Sequence, residues 1–163
     1  MRLLSSQPMR RLIWCAAAAL LALRPVAAVQ STEPAAQPAA ILENGELMEL
    51  VIKPAYLELQ LAVARAPADR KAWATVYQKA VRLAEMQNLL FFRNHETIRK
   101  AEWAAAAARS RQAAADVAAA ALTGLHTIDG ANYDAVRAKY MRVADACNGC
   151  HRGFGREAPR VKP

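Results

Sequence analysis

Apolar residues recur along this chain at intervals of three, four and seven, and no stretch alternates with period two for long enough to make a half-buried strand. Four helical segments follow from that pattern. The first is expected near Asn44-Gly45, where Asn can cap a helix, and carries Leu47, Leu50 and Val51, then Leu57 and Leu61 beyond Pro54. Pro54 has no N–H to donate, so a kink is expected there. The second opens at Pro67-Ala68-Asp69, places Trp73, Val76, Ala80, Leu83 and Leu90 on one face, and ends around Phe92 to Asn94. The third runs roughly from Glu96 to Leu122 through alanine runs at 104–108, 113–115 and 118–121, with Gly124 as its expected stop. Alanine is the best helix former and lets neighbours approach closely, so these runs predict tight packing. The fourth starts near Asp129-Gly130 and sets Tyr133, Val136, Tyr140, Val143, Cys147 and Cys150 at alternating intervals of three and four, a seam facing a core. Short connections between such helices predict an all-α, antiparallel four-helix bundle over 43–158, with a tail at 159–163.

The first 28 residues read differently. Arg2, Arg10 and Arg11 precede the apolar run Leu12 to Leu23, and Val26-Ala27-Ala28 offers the small residues a signal peptidase reads. The run is short for a bilayer, which takes about 20 apolar residues, so cleavage after Ala28 is expected ahead of an uncleaved anchor. Cys15 is a passenger of that signal. Residues 29–42, rich in Ala, Pro and Gln, are expected to be a flexible leader. This predicts export to the periplasm and no stable membrane span after cleavage.

Charge then changes its meaning. The chain carries a formal +8, but four arginines and no acids belong to the signal, which leaves about +4. That is ordinary solvated charge on helix faces, and it argues against a nucleic-acid binder.

The chemistry concentrates in Cys147-Asn148-Gly149-Cys150-His151. Two thiols three residues apart, followed at once by an imidazole, match the C-x-x-C-H requirement for covalent haem: each sulfur adds to one vinyl group and the histidine lies under the iron. On a helix the three side chains project to one side. A structural zinc site needs four ligands, and only the scattered His95 and His126 remain to complete one. A thioredoxin-like dithiol would sit between a strand and a helix, not at the end of a long helical pattern.

The segment YMRVADACNGCHRGF, Tyr140 to Phe154, resembles the cytochrome c-prime family, the class II c-type cytochromes, and the similarity extends over most of 43–156. The run LAEMQNLL, Leu83 to Leu90, is similar to the second helix of a bacterial subgroup. The resemblance implies an exported four-helix bundle with one haem c, thioether bonds at Cys147 and Cys150, and His151 as proximal iron ligand. It also implies redox partner proteins and, in many members, a homodimer formed through the first two helices. The distal ligand in the family comes from the first helix. An apolar residue there leaves iron five-coordinate and open to nitric oxide or carbon monoxide, whereas a methionine gives six-coordinate iron suited to electron transfer.

Met48 is the first helix's candidate for that distal position, since a thioether can ligate haem iron, although methionine also serves as plain core filler. Lys53 competes locally, but it points elsewhere on the helix and its charge favours the surface. Met141, ten residues before His151 on the same helix, is about 15 Å away along the axis and cannot reach the opposite face. Met86 and His126 are poorer candidates, and His95 is held in reserve. Arg152 and Arg156 could pair with haem propionates or dock an acidic partner, as readily as form a solvated tail. The function expected is one-electron carriage rather than enzymatic turnover. Its alternative is a five-coordinate binder of nitric oxide or carbon monoxide, and a peroxidase is disfavoured because no distal His and Arg pair is evident.

Overall fold

The computed structural model describes residues 40–96, 99–128, 130–155 and 157–163, without the side chains of 94–96. The expected signal at 1–28, most of the leader at 29–42, Arg156 and the His95 side chain lie outside the described residues. In chain order the elements are α1 (Asn44–Leu47), a π-turn (Met48–Ile52), α2 (Lys53–Val63), α3 (Arg70–Gln87), a 3-10 segment (Asn88–Glu96), α4 (Lys100–Thr127) and α5 (Gly130–Phe154). The described residues are all helix and connection, and α1 through α2 forms one rod that packs with α3, α4 and α5 as a bundle of four. The rods alternate in direction. Tyr140 and Tyr133 of α5 donate to the Tyr56 hydroxyl and the Val63 carbonyl of α2, so numbers fall on one helix as they rise on the other. Gln87 of α3 with Ser110 of α4, and Leu90 with Trp103, show the same reversal.

Local chemistry sets the ends of these rods. The N–H of Glu43 donates to the Glu46 side chain at 2.9 Å, a capping box, so the cap is Glu43 and not the expected Asn44. Asp69 caps α3 through its carboxylate, which accepts from Ala72 N–H at 2.7 Å. At the end of α4 the chain turns at Ile128, in the left-handed region with φ of 49°. Gly124 is therefore not the stop that the sequence suggested. It lies buried inside α4, where a Cβ would fall 2.3 Å from Cζ3 of Trp73, so its lack of a side chain makes room for an indole.

The first rod departs most from expectation. The N–H of Lys53 donates to the Met48 carbonyl, one residue beyond helical reach, and this widened turn precedes Pro54. A proline ring in a tight α-helix would press on the carbonyl four residues back, that of Leu50. The wide turn relieves that pressure and advances the register by one residue. Consequently the buried face is Leu47, Ile52, Ala55, Tyr56, Leu59 and Val63, while Leu50 and Leu61 are 65% and 77% exposed and Leu57 is exposed as well. The expected core positions Leu50, Leu57 and Leu61 are corrected accordingly.

The other rods follow the pattern. Trp73, Val76, Ala80, Leu83 and Leu90 are buried, as are Ala106, Ala107, Ala114, Ala118 and Ala121 of α4. On α5, Val136, Tyr140 and Val143 are buried and Cys147 packs at the edge of the same core. Each fully buried leucine or valine contributes about 1.5–3 kcal/mol of transfer free energy. Residues 159–163 lie against the bundle, with Val161 packed on the core. Among the described residues, no helix is long and apolar enough to cross a membrane.

Candidate functional site

The last two turns of α5 carry Cys147, Cys150 and His151, and all three are partly buried. Both cysteines are free thiols. Burial pushes the Cys147 thiol above its ordinary range, although a Ser110 contact at 3.9 Å works in the opposite sense. Cys150 is also raised by burial, partly offset by the Arg109 charge. Burial thus favours the neutral thiol over a solvated thiolate at both positions.

His151 has a fixed orientation. Its Nδ1 lies 3.2 Å from the Pro159 carbonyl. A carbonyl can only accept, so Nδ1 is the donor in this contact and Nε2 is the ring nitrogen left outside it.

Helix register brings Met48 to this end of the bundle. Going from Tyr56 to Val63 on α2 takes seven residues forward, and their partners Tyr140 and Tyr133 on α5 lie seven residues apart in reverse. Eight residues back from Tyr56 is Met48, and eight forward from Tyr140 is Asn148. Allowing one residue for the π-turn, Met48 stands level with the C-x-x-C-H segment, partly buried against the core. Lys53, the local competitor, is at the surface with its ammonium 2.7 Å from Glu49. Met141 and His126 are exposed, and Met86 is partly buried against the core.

Several neighbours of the site were not anticipated. Gln87 is fully buried and donates from Nε2 to Ser110 Oγ at 2.8 Å, leaving its own Oε1 without a partner. Ser110 in turn touches Cys147, so a polar group from α3 and one from α4 reach the C-x-x-C-H end of α5. The only hint in sequence was a serine at a seam position between alanine runs. Trp103 donates to the Leu90 carbonyl at 2.7 Å and meets Phe154 edge to face, with ring centroids 5.2 Å apart. Arg99 stacks over the same Phe154 ring, 5.0 Å from its centroid, and reaches the Gly153 carbonyl. Together these groups lock the end of α5 that carries the motif. Arg152 is exposed beside it.

Asn148, between the two cysteines, is buried and makes a two-way pair with Val161: Nδ2 donates to its carbonyl at 2.9 Å and Oδ1 accepts from its N–H at 2.8 Å. Nothing in the C-x-x-C-H motif assigns a role to that middle residue.

No protein-family model, curated protein or solved structure matches the chain.

Proposed function

We propose that the chain is an exported mono-haem c-type cytochrome of the c-prime kind that carries one electron between partner proteins. The observation that carries this reading is the placement of Cys147, Cys150 and His151, all partly buried, at the end of α5, with Met48 level with them on the first rod. The donor set fits a haem c. Two partly buried thiols stand one helical turn apart for thioether bonds, His151 has its Nε2 outside the contact with Pro159, and Met48 offers a soft thioether from the opposite rod. When bound, the group supplies a ferric and ferrous iron couple. The protein's own part is to hold the macrocycle by Cys147 and Cys150, to orient His151, to keep water away with the Trp103 and Phe154 cluster, and to tune the couple by burial.

Export is part of the proposal, since covalent haem and a signal at 1–28 suit the same periplasmic compartment. Exposed Arg152 would help dock an acidic partner. The exposed leucines 50, 57 and 61 lie on the first rod, the element through which the expected self-pairing would run.

The test is direct. After denaturing electrophoresis the purified periplasmic protein should retain haem-dependent peroxidase staining, and its spectrum should be low-spin with the far-red band of His/Met ligation. Loss of all haem on denaturation would overturn the cytochrome reading. A broad high-spin spectrum with retained haem would replace electron carriage by nitric oxide or carbon monoxide binding.

A further inference from the structure

The chain beyond α5 does not trail into solvent. Gly155 N–H donates to the His151 carbonyl at 2.9 Å and Ala158 N–H to the Gly155 carbonyl at 2.8 Å, which turns the backbone around. The segment then runs back along α5. Asn148 grips Val161 through both halves of its amide. The Lys162 carbonyl accepts from Tyr56 Oη at 2.8 Å and from Gln60 Nε2 at 3.2 Å, both on α2. Tyr56 is itself held by the Tyr140 hydroxyl, 2.8 Å away. Four side-chain hydrogen bonds from two rods thus hold Val161 and Lys162 of this segment, and the segment places the Pro159 carbonyl on His151 Nδ1.

We propose that residues 157–163 form a strap whose Pro159 carbonyl sets the tautomer, ring orientation and donor strength of His151, with Asn148 as the positioning residue that holds the strap. The inference rests on the haem reading of Cys147, Cys150 and His151 given above. An imidazole that donates from one nitrogen is a stronger electron donor through the other, and such outer partners fix ring orientation at metal sites. A stronger donor favours the ferric over the ferrous state, so the strap lowers the reduction potential. Asn148 suits this task because it lies on the same helical turn as the ligand, and each end of its amide meets one backbone group of a single residue. Tyr56 and Gln60 carry the far end of the strap to α2, so the ligand on α5 is tied to the rod that bears Met48.

The experiment uses the full chain matured with haem, alongside two weakened versions, removal of 159–163 and Asn148→Ala, and one control, Arg160→Ala, whose exposed side chain leaves the backbone carbonyls in place. Redox titration should move the ferric-to-ferrous equilibrium about tenfold toward ferrous in both weakened versions, the lower end of what a lost outer partner costs a metal site, or about 59 mV for one electron. The control should match the parent. Equal potentials in the parent and both weakened versions would overturn the strap's role. Nitrogen NMR of the His151 ring in the haem-free chain separates this inference from the haem reading. There the parent should show a single Nδ1-protonated tautomer and Asn148→Ala the mixture typical of a solvated histidine. A mixture in the parent would overturn the strap even if the haem is present, whereas a locked tautomer in a chain that never attaches haem upholds the clamp and sinks the cytochrome.

Discussion

Gly124 of α4 lies against the face of Trp73 on α3 so closely that a Cβ added at the glycine would be 2.3 to 2.5 Å from three atoms of the indole's benzene ring. The tryptophan is fully buried and cannot swing aside. Gly124→Ala gains about 1 kcal/mol of helix propensity, but overpacking costs about 1–3 kcal/mol and occasionally more, and an overlap this deep belongs at the upper end. Net destabilisation of about 2 kcal/mol is expected in a urea titration. The same substitution in a Trp73→Phe background should cost less, and an equal cost would show that the contact is not the cause.

The π-turn makes a second prediction that divides two leucines of one helix. Leu59 has no exposure and Leu61 is 77% exposed, the reverse of what an uninterrupted α-helix from Leu47 would give. Leu59→Ala should cost about 2–5 kcal/mol, as buried leucines do, and Leu61→Ala should stay within about 0.5 kcal/mol. Denaturant midpoints at constant m-value decide it, and a larger loss at Leu61 would restore the unbroken register.

How much of this was legible in the sequence depends on whether the code is periodic. Trp73, Val76, Ala80 and Leu83 are buried where helical spacing puts them, and so are Val136, Tyr140 and Val143, because nothing in those rods interrupts the 3.6-residue repeat. Leu50, Leu57 and Leu61 were misplaced because Pro54 relieves itself through a widened turn upstream, and one extra residue per turn rotates every later side chain. Gly124 is ambiguous in sequence because a glycine near a helix end has two explanations, and only the neighbouring Trp73 selects between them. The cysteines and His151 stood out by motif. Asn148, Gln87, Ser110 and the strap did not, because their partners are backbone groups or residues distant in the chain, which no local pattern records.

A third prediction concerns alkaline pH. Burial raises the hydroxyls of Tyr56 and Tyr140 above the ordinary tyrosine value, and the two rings stack with centroids 5.7 Å apart while sharing a hydrogen bond. Below about pH 10 both tyrosines are protonated in the folded and the unfolded chain and contribute no slope. Above it the unfolded chain releases protons that the folded chain retains, so stability falls as pH rises. Lysines titrate in the same range, and the tyrosine share is therefore the difference between the parent and the Tyr56→Phe, Tyr140→Phe double variant. Urea midpoints from pH 8 to 11 should fall more steeply in the parent, and parallel curves would rule the pair out.

The last prediction concerns Met48, which begins the π-turn and is brought level with Cys147 to His151 by the α2 and α5 register. Widened turns of this type occur often at functional sites, since they redirect a side chain that a regular helix would aim elsewhere. Two substitutions separate ligation from packing. Met48→Leu keeps the side-chain volume and should cost less than about 1.5 kcal/mol, so the bundle persists. If Met48 supplies the sixth ligand in the haem-loaded protein, Met48→Leu should convert a low-spin spectrum to high spin, abolish the far-red band and allow rapid carbon monoxide binding in the ferrous state. Met48→Ala should do the same and also lose stability. A Met48→Leu protein whose spectrum and carbon monoxide kinetics match the parent would leave Met48 as core filler, and the distal face would then belong to another group on the first rod or to none.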